Sequence, residues 1–508
     1  MTTIKYYLRI LPFLFFIFLG FSRASWAENA AVDAPQVVVV GDEPEPFLDH
    51  EVKVKAPPVT SRLHGSHAIV QTMPERMMGL IGLALILVLA FLFSTNRKAI
   101  PWRLVILGTV LQAVLAVIVL KTQLGRIMFD GANNFIVKIL SFSNEGARFV
   151  FGNLVDLNVP IGIPKGAYGP MSDLTLTGAF ANTGAFFAFS VMPTIVFFSA
   201  VTAILYYFGI LPFIIRGIAR VMQTTLRCSG AESFSASANI FVGQTEAPLL
   251  IKPFLANMTR SEIMAIMTGG FATVSGGVLA AFVGMLVSEF PDIAGHLIAA
   301  SVMSAPASLV LAKMMLPETE TPKTMSAKDI NVENTDSNMF DAATRGTSEG
   351  MHLALNVAAM LIAFVAIIAF SNWILGGIGS LFGFQGLSLD QIFATLFAPF
   401  AYLLGVPWED AAAVGNLLGL KTAVNEFVSY LQLSEYLQSD FIKHDKSVVI
   451  AVYALCGFAN FASIGVQIGG LSAMAPSRRQ DFARIGLRAM VAGTLASLQT
   501  AAIAGMLL

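Results

Sequence analysis

Beyond residue 75 the chain returns repeatedly to apolar runs long enough to cross a lipid bilayer, and that feature sets its solvent. A crossing helix needs about 20 mostly apolar residues. Runs at roughly 77–95, 103–121, 183–211, 261–287, 295–316, 351–378, 447–472 and 483–506 meet that requirement, which gives eight spans. The charge content agrees: 12% of residues are charged, about half the share a soluble globule carries. Net charge is -1, with no basic tract and no interleaved aromatic stripe. A nucleic acid polymer is therefore not an expected partner, whereas the lipid bilayer is. The six histidines lie in the N-terminal segment or near the ends of apolar spans, and Cys228 and Cys456 lie in or beside apolar runs. Neither set has the spacing of a metal or redox site, and the cysteines read as packing residues.

The first 27 residues carry the marks of an export signal. Lys5 and Arg9 form a positive n-region, Ile10 to Phe21 an apolar h-region, and Ser25-Trp26-Ala27 places small residues before a cleavage point after Ala27. An uncleaved anchor is the alternative, disfavoured by the shortness of the apolar core. Residues 28–76 form an exported segment that is polar and Pro-rich and reads as disordered. With the N-terminus exported, the short cytoplasmic loops hold Arg97 and Lys98; Arg216, Arg220, Arg227, Lys252 and Arg260; Lys313, Lys323 and Lys328; and Arg478, Arg479 and Arg484. These are the basic clusters of the chain, as the positive-inside rule requires. Both mature ends are then expected in the periplasm, with the spans in the bacterial inner membrane.

Two apolar stretches, about 231–257 and 388–435, are interrupted by Gly, Pro and an acid and fit no further crossing. Re-entrant hairpins suit them, because irregular backbone survives at membrane depth only where it lines a cavity or is buried in protein. The stretch 126–142 alternates charged and apolar residues at helical spacing, as an interfacial amphipathic helix does. One string recurs: Gly270-Phe271-Ala272-Thr273 in the fourth span and Gly457-Phe458-Ala459-Asn460 in the seventh, each followed by more glycines and preceded by a hairpin. Paired interrupted helices in two oppositely oriented halves point to a midplane binding site. The expected fold is an all-α polytopic membrane protein: eight transmembrane helices, two re-entrant hairpins, inverted repeats and two discontinuous helices. Its divisions are a signal peptide (1–27), the exported segment (28–76), scaffold helices with the interfacial helix (77–230), a first transport repeat (231–316), a cytoplasmic loop (317–350) and a second transport repeat (351–508).

Each hairpin centres on a carboxylate, Glu246 in the first and Glu426 in the second. An acid at the bilayer centre costs roughly 2.5–3.5 kcal/mol, so it marks function unless a structural partner such as Lys252 or Lys421 explains it. Gln244, Thr245, Asn425, Asn460 and Ser463 add neutral donors and acceptors. Such a set suits a neutral, hydroxyl-rich, amide-like solute.

Several long strings, in order, resemble the concentrative nucleoside transporter family: GQTEAP (243–248), GGFATVSGG (269–277), SAPASLVLAKMMLPETE (304–320), GNLLGLKTAVNEFVSY (415–430) and CGFANFASIGVQIGG (456–470). The resemblance covers most of residues 77–508. It implies a homotrimeric, sodium-driven importer of nucleosides. Gln244 and Thr245 would contact the base, with Glu246 linked through water; Glu426, Asn460 and Ser463 would hold the ribose; Val278 and Phe458 would form apolar walls. The coupling sodium ion would lie between the side chains of Asn239 and Thr273 and the carbonyls of Val242 and Val274. Relatives often read FSSIG where this chain reads FASIG (461–465), so Ala462 removes one hydroxyl. Proton coupling through Glu246 or Glu426 is the main rival, and a channel is another. An intramembrane enzyme finds no HExxH, no GxGD and no Ser/His pair at membrane depth. The balance of purine against pyrimidine stays open.

Overall fold

The computed structural model describes residues 73–155, 158–164, 174–182, 187–325, 336–384 and 386–507. The signal segment at 1–27 and nearly all of the exported segment at 28–76 lie outside the described residues. The chain begins with two apolar helices, α1 (Met73–Leu92) and α2 (Trp102–Lys121), and then α3 (Gln123–Phe151). Thr122 caps α3 by accepting from the Gly125 N–H at 3.0 Å. Its buried residues, Phe129, Asn133, Ile136, Leu140 and Ser143, recur every three or four positions. This two-sided helix extends the interfacial element expected at 126–142 at both ends.

One element departs from the all-helical expectation: strands β1 (Asn158–Pro164) and β2 (Leu174–Asn182) form an antiparallel ribbon, with Asn158 opposite Asn182 and Pro164 opposite Leu174. The register is irregular between Pro160 and Gly162, where proline lacks an N–H for the ladder. The third apolar run, expected to continue to 211, ends instead with α4 (Met192–Tyr207). Gly209 turns the chain with φ 76°, a left-handed conformation open to glycine, and α5 (Ile210–Leu226) departs in a new direction.

From here one order of elements occurs twice. The first round is a hairpin of α6 (Gly230–Ala238), α7 (Glu246–Leu249) and α8 (Lys252–Leu255), a helix broken into α9 (Arg260–Ala272) and α10 (Gly276–Leu286), and the long α11 (Ile293–Met315). After α12 (Met339–Leu381) and α13 (Leu389–Leu403) comes the second: a hairpin of α14 (Trp408–Ala423) and α15 (Glu426–Gln438), a helix broken into α16 (Asp445–Leu455) and α17 (Phe461–Met474), and the long α18 (Arg479–Leu507). The region expected as one hairpin at 388–435 thus contains an extra helix, since α13 and α14 meet at 117° before the hairpin proper begins. Gly415 and Gly419 permit that close packing: a Cβ on Gly415 would come within 2.6 Å of the Ala398 nitrogen. Gly346 and Gly350 similarly seat α12 on α4 at Ser199.

Among the described residues, six helices are long and apolar enough to cross a membrane, and 76–92 and 461–474 form shorter apolar helices. Burial separates their roles: 89% of the apolar window of α9 with α10 is buried, against 17% for α12. Of the doubled elements, α9, α10, α11 and α18 are largely buried whereas α17 buries only Ser463, Gln467 and Leu471, and α12 offers side chains such as Ile362 and Trp373 to the surroundings.

Glu426 is not alone in being a buried acid. Glu232, at the start of α6, is buried and paired with the buried Lys313 of α11. Lys313 Nζ also donates to Ser261 Oγ at 2.9 Å and to Glu318 Oε2 at 3.2 Å. Asp410, at the start of α14, accepts from the backbone N–H groups of Lys443 and His444 and from Ser447 Oγ at 2.6 Å. A buried carboxylate therefore ties the base of each hairpin to neighbouring elements.

Candidate functional site

The two helix breaks touch. Gly457 adopts φ 124° just after α16, and a Cβ there would come within 2.7 Å of the Phe271 carbonyl and 2.9 Å of the Ala272 carbonyl, at the end of α9. Only glycine supplies both the conformation and the missing side chain. Each half-helix that follows a break is capped by its own sequence: Ser275 Oγ accepts from the Val278 N–H at 3.4 Å, and Asn460 Oδ1 from the Ser463 N–H at 2.8 Å. The Gly276 N–H donates to the Phe241 carbonyl of the first hairpin at 3.0 Å.

The second hairpin tip meets the second break. Asn425 caps α15 by accepting from the Val428 N–H at 2.9 Å, which places Glu426 at the first helical position, where the helix dipole favours an anion. Glu426 is buried, and its Oε2 accepts from Asn460 Nδ2 at 2.9 Å. Lys421, a candidate counter-charge, turns instead to the Ala454 carbonyl at 2.8 Å. Ser463 is buried in the first turn of α17, and Phe458 is buried between the half-helices. Asn460 thus links the other two, holding Glu426 through its Nδ2 and the Ser463 N–H through its Oδ1.

The first hairpin tip reaches α9 and α17. Gln467 Nε2 donates to Gln244 Oε1 and to the Met267 carbonyl, both at 3.1 Å. Thr245 packs on Gly470, where a Cβ would stand 3.0 Å from its methyl. The glycine pair of α9 forms the notch that receives these side chains. A Cβ on Gly270 would come within 2.6 Å of Gln467 Nε2 and 2.9 Å of Gln244 Cβ, and one on Gly269 within 3.2 Å of Asn239 Nδ2. Gln467 was not singled out from the sequence, although it lies in the string 456–470; its polarity within a glycine-rich apolar run was the available signal.

Asn239 is buried at the end of α6, with neither amide atom hydrogen-bonded. Thr273, also buried, donates its hydroxyl to the Gly269 carbonyl at 2.9 Å, which leaves its oxygen lone pairs free to accept. An unsatisfied amide oxygen and a hydroxyl oxygen beside interrupted backbone suit a hard cation such as sodium. Among the described residues, no group of three or more His, Cys, Asp and Glu could hold a metal ion. Val274 is buried in the break between α9 and α10, and Val278 in the first turn of α10.

Glu246 behaves differently from Glu426. It is exposed, folds back over Gly243, and lines a cavity of about 720 Å³ that Val242, Ser275 and, from α12, Arg345 and Glu349 also line. The two hairpin acids are thus inequivalent, one enclosed against Asn460 and one facing open space.

Residues 81–154 match the family described as Na+ dependent nucleoside transporter N-terminus, 188–289 the one described as Nucleoside recognition, and 296–505 the one described as Na+ dependent nucleoside transporter C-terminus. An uncharacterized transporter of Haemophilus influenzae is 44% identical over 430 residues, covering 84% of this chain and 96% of that protein. Solute carrier family 28 member 3 of Homo sapiens is 41% identical over 446 residues, 85% of this chain and 60% of its own longer length. The structure of CNTnw in an inward-facing substrate-bound state superposes with a TM-score of 0.74 at 41% identity, covering 85% of this chain and 98% of that one.

Proposed function

The chain belongs to the Na+-dependent nucleoside transporter family, and on that premise we propose that it is a symporter that imports nucleosides down an inward sodium gradient. The observation that carries the reading is the buried contact of Glu426 with Asn460, made where a hairpin tip meets a broken helix. Glu426 Oε1 and Ser463 Oγ then serve the ribose hydroxyls, Gln244 and Thr245 the base, and Glu246 the same edge through water. Val278 and Phe458 wall the solute. The ion sits against Asn239, Thr273 and the carbonyls of Val242 and Val274. A small hard cation is satisfied by neutral oxygens from broken helices, whereas a proton would need a titrating group.

In this reading residues 231–316 and 351–508 are the two transport repeats, and 77–230 the scaffold. The protein crosses the bacterial inner membrane eight times as a homotrimer, after removal of residues 1–27. A tag after Leu508 should react with an impermeant reagent in intact spheroplasts, and mass spectrometry should find a chain starting at Glu28. Protection of the tag would overturn the eight-span count.

The coupling ion is tested in vesicles loaded with purified protein, by replacing sodium with choline at constant pH. Uptake of labelled uridine and adenosine should stop. Thr273→Ala and Asn239→Ala should raise the sodium needed for half-maximal uptake, with Thr273→Ser mild because the hydroxyl is kept. Ion and nucleoside should tighten each other's binding by one common factor, as linkage requires. Full activity in choline that a protonophore abolishes would sink sodium coupling in favour of the proton.

A further inference from the structure

An amide side chain can present either a donor or an acceptor, and what a transporter recognises depends on which of the two faces the solute. At the first hairpin tip the surroundings decide this for Gln244. The Met267 carbonyl can only accept, so the end of Gln467 lying 3.1 Å from it must be the nitrogen. That same nitrogen lies 3.1 Å from the amide of Gln244, which must therefore answer with its oxygen, leaving Nε2 as its other arm. Polarity is thus passed from a backbone group on α9, through α17, to the hairpin. The notch at Gly270 allows the chain of contacts to form, since a Cβ there would overlap Gln467 Nε2 and crowd Gln244 Cβ.

We propose that Gln467 is a positioning residue that fixes the amide of Gln244 with its Nε2 donor toward the solute, so that this position recognises a hydrogen-bond acceptor on the base. The inference rests on the assignment of Gln244 to the base in the reading above. Gln467 itself need not touch the solute. Its contribution is to remove the choice that a free amide would have, and with it the tolerance for a donor at that edge of the base.

The test compares wild type, Gln467→Leu, Gln244→Leu and the double variant in vesicles, with uridine and cytidine as probes, because these differ in where their base edge places donors and acceptors. Losing one neutral hydrogen bond corresponds to about a two- to ten-fold change. Gln467→Leu should raise the uridine KM by about that factor and move the ratio of uridine KM to cytidine KM, because a released Gln244 amide can present either face. In the Gln244→Leu background, Gln467→Leu should add nothing further. Equal KM increases for both nucleosides, or independent losses in the double variant, would overturn the proposal, because a merely structural residue behaves that way. If Gln467→Leu fails to accumulate, the closer-shaped Gln467→Met is put through the same comparison. Wild-type protein that takes up neither nucleoside would sink the transport reading itself, whereas transport with an unmoved ratio sinks only the role of Gln467.

Discussion

Lys313→Met is expected to lower stability by about 3–5 kcal/mol, the usual cost of removing one partner from a buried ion pair. The reason is local. Glu232 and Lys313 are both buried, and the ammonium also holds Ser261 Oγ and Glu318 Oε2. Without it, the Glu232 carboxylate keeps only the Ser229 N–H of its capping box at 2.9 Å. The group joins the base of the first hairpin to the start of α9 and the end of α11, so its loss should loosen all three. Yield of monodisperse protein in detergent and the midpoint of thermal unfolding should both fall. Replacing both partners, with Glu232→Met added, should recover much of the loss, because an apolar pair of similar volume needs no counter-charge. A single variant as stable as wild type, or a double variant worse than the single, would show that the pair is not coupled.

Glu426→Gln should weaken nucleoside binding by about ten- to a hundred-fold, since a hydrogen bond to a charged group contributes about 1.5–3 kcal/mol. The carboxylate already uses Oε2 to accept from Asn460 Nδ2 at 2.9 Å, and a glutamine could keep that contact with its own oxygen. What it would then turn toward the ribose is an NH2 group, which donates where hydroxyls need an acceptor. The fold should tolerate the change better than the affinity does. The ligand offers the complementary measurement: wild-type protein should bind 2′,3′-dideoxynucleosides more weakly than ribonucleosides, and equal binding would remove Glu426, Asn460 and Ser463 from the sugar. Titration calorimetry on detergent-solubilised protein reads both.

Much of the architecture was legible because it is written locally. Run length distinguishes a crossing from a hairpin, and a glycine within an apolar run marks where a helix can break. That logic located α9 with α10, α16 with α17, and the two hairpin tips. It was less successful where a boundary depends on packing. The helix α13 was absorbed into the second hairpin because Gly415 and Gly419, which seat α14 against it, look no different in sequence from other small residues. The ribbon at Asn158–Asn182 was not foreseen, in a stretch where no apolar periodicity announced it.

The site shows the same division more sharply. By itself the sequence determined that carboxylates occupy both hairpins, that Asn460 and Ser463 follow a break, and that the chain's solvent is lipid; each follows from residues within one or two turns of one another. Only the tertiary structure decided that Glu426 is enclosed while Glu246 faces a cavity, since burial depends on what the rest of the chain places around a residue. It also decided that Lys313 belongs to Glu232, and that Gln467 meets a glutamine 223 positions away. The physical reason is range: backbone propensity and hydrophobic periodicity act over a few residues, whereas the polarity of a buried amide is settled by whichever distant carbonyl the fold brings within about 3 Å.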